Sequence, residues 1–123
     1  MATAKNNPFK DGVVSHLNRV APVTARAMFG GYGLYVEGVM FALIAYDVLY
    51  FKADDENRDD YLDAGTGPFI YHRSGKAIEM SYYQLPDAVY DDLGTLHQWV
   101  EKAVAAARRA KRGKPPFPRF KDQ

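Results

Sequence analysis

Cysteine is absent from all 123 residues, which excludes a disulfide framework, a thiolate nucleophile and any zinc site built on Cys ligands. That fits a reducing compartment. No apolar run approaches the roughly 18 to 20 residues a membrane-spanning helix needs. The opening MATAKNNPFK also lacks the apolar core of a signal peptide, so the expectation is a cytoplasmic protein with no membrane partner. Histidine is scarce, and His16, His72 and His97 are too far apart to form a ligand pair such as His-x-x-x-His. Excess charge is missing overall, since the net charge is +1. The distribution is nonetheless uneven. Residues 1–107 carry nine Lys/Arg against fourteen Asp/Glu, whereas residues 108–123 carry seven against one.

What is present is an ordinary globular composition, 47% hydrophobic and 25% charged, on a chain long enough for one compact core. Phe9, Val13, Leu17 and Val20 recur at helical spacing between Pro8 and Pro22, which predicts a helix over about 8–20. From Thr24 to Lys52 the period shortens. TARAMF, GLYVE, VMFALIA and VLYFK read as strands, the last three joined by two-residue turns at Glu37-Gly38 and Tyr46-Asp47. The unbroken apolar run Val39–Ala45 predicts a central strand covered on both faces. DDENRDDYLDAG reads as a short acidic helix stopped at Gly65, TGPFIYHRSGK as a loop, and AIEMSYY as a further strand. Leu93, Leu96, Val100, Val104 and Ala107 predict a long amphipathic helix capped by Asp91 or Asp92 and ending near Gly113. The fold class is therefore α+β: an antiparallel meander with an N-terminal helix, a short middle helix and a long C-terminal helix. Residues 1–113 form the domain, and 114–123 a basic, Pro-rich tail.

Three glycines in RAMFGGYGLY raise the question of phosphate binding. A dinucleotide fingerprint starting at Gly31 and Gly33 needs a third glycine where Val36 stands, and a P-loop needs Gly-Lys-Ser/Thr, which is missing. The better reading is a turn between strands. An EF-hand starting at Asp54 fails as well, because Asp59 stands in place of the loop glycine and Gly65 in place of the closing carboxylate. No metal or cofactor is expected. Tyr71, His72 and Arg73 could present a proton-transfer or anion-binding group beside Tyr82 and Tyr83, yet no triad order or nucleophile elbow accompanies them. At the other end, Arg108, Arg109, Lys111, Arg112, Lys114, Arg119 and Lys121, interleaved with Phe117 and Phe120, have the composition that neutralises phosphates and stacks on bases. A structural reading competes, since cations also suit the last turns of a helix.

The run RAMFGGYGLYVEGVMFALIAYDVLYFKADDEN, followed by PFIYHRSGK, MSYYQLPD and a closing helix with Trp99, resembles the amino-terminal domain of the TfoX/Sxy family over about Ala21 to Ala110. The resemblance implies a helix, an antiparallel sheet, a short helix, a further strand and a final helix. It also implies regulators of natural competence genes, acting as coactivators with the cyclic-AMP receptor protein. Such regulators carry a second, carboxy-terminal helical domain, and this sequence stops where that domain would begin, so a stand-alone amino-terminal domain is expected. No catalytic residue comes with the resemblance, and the expectation is a non-enzymatic domain that binds a transcription regulator or another protein. The motif's Arg26 beside a glycine turn suggests an ion pair, or contact with an anion or partner. Met28 and Phe29 read as core. The binding candidates are Arg26, Gly30, Gly31, Tyr32, Gly33, Tyr71, His72, Arg73 and Lys76, with DNA contact left to the basic tail. Two alternatives stand beside this reading: a ligand or catalytic pocket lined by Tyr71, His72, Tyr82 and Tyr83, and a homodimer formed through an exposed sheet edge or face.

Overall fold

The structure is a computed structural model that describes residues 7–28 and 30–113. Phe29 and the tail residues Lys114, Phe117, Arg119, Phe120 and Lys121 lie outside the described residues. Helix α1 (Pro8–Leu17) starts with the Lys10 N–H donating to the Asn7 side chain at 2.9 Å, while Pro8 supplies a helical φ and no N–H in need of a partner. The helix ends at Leu17, earlier than its apolar spacing implies. Asn18 accounts for the difference. Its side-chain amide donates to the Val14 and Val23 carbonyls at 2.8 and 2.9 Å and accepts from the Val23 N–H at 3.1 Å, turning the chain toward the sheet.

Strands β1 (Thr24–Met28), β2 (Gly31–Val36), β3 (Val39–Ala45) and β4 (Val48–Lys52) form the expected meander. The turns match their sequence. Glu37 and Gly38 have φ of 51° and 77°, and Tyr46 and Asp47 have 52° and 59°, the left-handed pairs that suit two-residue hairpins. After α2 (Arg58–Asp63) the segment read as a loop is instead β5 (Pro68–Arg73), paired with β6 (Lys76–Gln84) across Ser74-Gly75, whose φ values are 52° and 78°. Ser-Gly makes the same kind of turn as Glu37-Gly38 and Tyr46-Asp47, so PFIYHR and KAIEMSYYQ are the arms of one ribbon. A short helix α3 (Asp87–Tyr90), not expected from the sequence, precedes α4 (Leu93–Gly113). Asp92 opens α4: its backbone carbonyl accepts from Leu96 N–H and its carboxylate from the Thr95 hydroxyl at 2.6 Å. Among the described residues no helix is long and apolar enough to cross a membrane.

All six strands belong to one antiparallel sheet ordered β1-β2-β3-β4-β6-β5. The helices build the main core on one face, with Leu17, Leu34, Phe41, Phe51, Leu96 and Val100 fully buried and Phe41 meeting Phe51 edge-on at 5.3 Å. Helix α2 inserts Tyr61 into this core, against Trp99. Strand β3 carries an extra residue: Leu34 pairs with Ala42 but Tyr35 with Met40, so Phe41 is bulged and joins Ala42 in the same core. On the opposite face Leu43, Ala45 and Phe69 form a second, smaller cluster with Met40, Met80 and Tyr82 packed against it. The apolar run 39–45 is thus explained by cover on both sides of β3.

Candidate functional site

The second face carries the unusual chemistry. Arg26 and Gly33 are directly paired, as are Met28 and Gly31, and paired residues project from the same side of a sheet. A Cβ on Gly31 would collide with the Ile44 carbonyl, and one on Gly33 would stand 2.8 Å from the Met28 sulfur and 3.0 Å from the Met40 sulfur. The glycines therefore do two things. Gly30, with φ of 78°, turns the β1–β2 hairpin, while Gly31 lets backbones approach and Gly33 makes room for two thioethers.

Those thioethers border a cavity of about 270 Å³ whose lining also includes Met80, Phe69, Tyr71 and Arg73. Gly30 and Gly31 line it too. Neighbouring strands lie about 4.8 Å apart, so β1 and β5, at opposite edges, would be some 24 Å apart in a flat sheet. Residues of both edges share one small cavity only because the sheet curls on itself. Two irregularities accompany the curl: the Phe41 bulge, and a shift in the β5–β6 ladder where Pro68 pairs with Tyr83 but Ile70 with Glu79. Burial pushes the Tyr82 hydroxyl up to about 12 and raises that of Tyr50 on the same face, so both are neutral phenols at neutral pH.

Of the residues singled out in the sequence, Gly30, Gly31, Tyr71 and Arg73 are brought together here, and Lys76, paired directly with Arg73, projects from the same side of the ribbon. Tyr32 lies on the helical side, packed against the main core beneath Lys10, whose ammonium stands 5.3 Å from its ring. Arg26 is exposed and lies 5.8 Å from the Tyr35 ring. Among the described residues it makes no ion pair, so the first of the two roles expected for it is not seen there. The set Tyr71, His72, Tyr82 and Tyr83 is divided by strand alternation. Tyr71 and Tyr82 line the cavity, whereas Tyr83 is buried in the main core near Tyr61 and exposed His72 is not in the lining. Sequence reading missed the three methionines and Phe69, although MSYY and PFIY alternate at period two and so carried the signal.

Two other regions account for charged candidates. Arg109 donates to both Asp54 oxygens at 2.7 and 3.0 Å and approaches Glu56 at 3.3 Å, while Arg108 donates to Glu37 at 2.8 Å. Half of the basic cluster in α4 is therefore tied to the body, whereas Lys111 and Arg112 are exposed in its last turn. His16, beside a more open hollow between α1 and α3, stacks on Tyr90 at 4.1 Å and donates from Nε2 to the Tyr90 carbonyl at 2.7 Å, locking α1 to α3. Among the described residues no group of three or more His, Asp or Glu side chains is placed to hold a metal ion.

A family model described as the TfoX N-terminal domain matches residues 15–107, which hold the whole sheet, the end of α1 and most of α4. Among curated proteins, Protein Sxy of Escherichia coli (strain K12) is 22% identical over 107 residues, covering 87% of this chain and 51% of Sxy. The chain thus spans about half the length of that relative.

Proposed function

Because this chain belongs to the TfoX N-terminal domain family, we propose that it is a non-enzymatic regulatory domain that influences transcription by docking on a protein of the transcription machinery. One observation carries the docking surface. Strand β6 has nine residues, yet among the described residues β4 pairs with Tyr82, Tyr83 and Gln84 alone, followed by one bond from the Ala53 N–H to the Ser81 carbonyl at 2.9 Å, so the rest of the β5–β6 ribbon overhangs the sheet with Ile70 and Ile78 exposed and Arg73 and Lys76 at its tip. A ribbon whose overhanging edges have no strand partner among the described residues, with apolar side chains and a basic end, suits capture of a protein surface or an added strand. Control of competence genes is the process the TfoX/Sxy resemblance points to. Direct DNA contact, as a supplement, would fall to Lys111 and Arg112 with Lys114, Arg119 and Lys121, because Arg108 and Arg109 already serve carboxylates.

The test is genetic. Transcript profiles of the source organism lacking this gene are compared with those after complementation by the natural chain or by the double variant Lys76→Glu, Ile78→Glu. The expected result is a defined set of transcripts that the natural chain restores and the folded variant does not. Unchanged transcripts on deletion would remove the regulatory reading, and full rescue by the variant would remove the ribbon as its docking surface.

A further inference from the structure

We propose that the cavity between the curled sheet and the β5–β6 ribbon is a binding site for a small apolar carboxylate. Its wall is built from Met28, Met40 and Met80, every methionine of the chain apart from Met1, together with Phe69 and Tyr71. Unbranched thioethers adapt to differently shaped apolar ligands and contact aromatic rings well. The volume of about 270 Å³ lies just below the usual range for small-molecule pockets and is far too small for a helix some 10 Å across. It suits a body of roughly the size of a medium-length acyl chain or one aryl ring.

Charge selects the head group. Among the described residues Arg73 is the one charged residue in the lining, which holds no Asp or Glu, and it makes no ion pair there. Lys76, its direct partner across the ribbon, adds a second cation on the same side. A guanidinium at the edge of an apolar hollow is a ready receptor for a planar carboxylate, which it can bind through two parallel N–H donors. The Tyr82 phenol, neutral at physiological pH as tyrosine ordinarily is, adds a polar group that does not repel an anion. Gly31 and Gly33 are part of this design, because the first allows the close approach of strands beneath the cavity and the second the seating of Met28 and Met40.

A bound carboxylate would touch β1, β3 and β6 with its apolar body and β5 with its head, fastening the ribbon to the sheet. Its effect on regulation rests on the reading above, while binding itself does not, and the two fail separately: transcript profiles test the first and direct titration the second.

The full chain, labelled with 13C at the methionine methyl groups, is titrated with octanoate, 1-octanol and octylammonium and followed by NMR. Octanoate is expected to shift the Met28, Met40 and Met80 signals saturably and to leave Met1 in place, with octylammonium at least about tenfold weaker. Exposed Arg73 can be replaced without disturbing the core, and Arg73→Gln is expected to weaken octanoate by about tenfold while changing octanol less than twofold. The proposal is overturned if octanoate leaves the three signals unmoved up to about 1 mM, if octylammonium binds as tightly as octanoate, or if Arg73→Gln binds octanoate like the natural chain.

Discussion

Two glycines two positions apart make opposite demands on a substitution. At Gly31 an added methyl meets backbone, the Ile44 carbonyl, which cannot move without displacing β3. At Gly33 it meets the sulfurs of Met28 and Met40, far ends of flexible side chains that can swing aside. Gly31→Ala is therefore expected to lower unfolding free energy by about 1–3 kcal/mol and Gly33→Ala by under about 1 kcal/mol, read from urea midpoints at unchanged slope. Equal losses would contradict this account of the motif. Much of the motif's meaning was legible in the sequence: failed phosphate fingerprints pointed to a turn, and Gly30 makes one. The close approach at Gly31 was not legible, because Ile44 lies thirteen residues away and only the register of β2 on β3 brings its carbonyl there. Tyr82 and Tyr83 show the converse. Simple alternation already placed them on opposite faces, so a site needing both was excluded by the strand itself.

At the scale of elements, α4 is fastened to the loop before α2 by Arg109 and Asp54. Hydrogen bonding to Arg109 is the main reason the Asp54 carboxyl is held below its ordinary value, and backbone N–H groups of Glu56 and Asn57 assist. A depressed carboxylate contributes stability that is complete above the unfolded value near 4 and is lost as pH falls through the lower folded value. Arg109→Gln should thus destabilise the domain by up to about 1 kcal/mol at neutral pH and progressively less below about pH 4, as measured by urea unfolding from pH 2.5 to 7. A penalty that does not shrink with acid would mean that the pair is not its source. Hairpins were the most readable elements, since Glu-Gly and Tyr-Asp at the right spacing announce their turns. The β5–β6 hairpin escaped because Pro68 and two flanking glycines resembled loop punctuation and His72, Arg73 and Lys76 diluted the alternation, although Ser74-Gly75 makes an equivalent turn. α1 ran short for a reason no periodicity contains, a side-chain amide that replaces backbone partners.

For the whole molecule, the uneven charge seen along the sequence is partly reconciled by folding, as acidic positions 37, 54 and 56 receive Arg108 and Arg109. Of the seven cations in residues 108–123, Arg108 and Arg109 are engaged by carboxylates, so duplex binding through the other five, Lys111, Arg112, Lys114, Arg119 and Lys121, should have a log–log salt slope no steeper than about −4.5. Lys111→Gln with Arg112→Gln should reduce that slope by about 2, whereas Arg108→Gln should leave it unchanged. Anisotropy of a labelled duplex across salt concentrations measures both, and no salt-sensitive binding by the full chain would end the case for DNA contact. The global shape was the least legible property. Composition and pattern specify five of the six strands, but the curl that brings the two edges near one another depends on where Phe41 and the residues after Pro68 break register, and on a face that the helices leave free. That face has a chemical consequence. In a chain without cysteine, thioethers are the main sulfur targets of peroxide, and three of four sit together around one hollow. Conversion to sulfoxides would put polar, chiral groups where apolar ones now pack against Gly33 and Phe69, so oxidative damage to this domain would be concentrated at the hollow that residues of both sheet edges share.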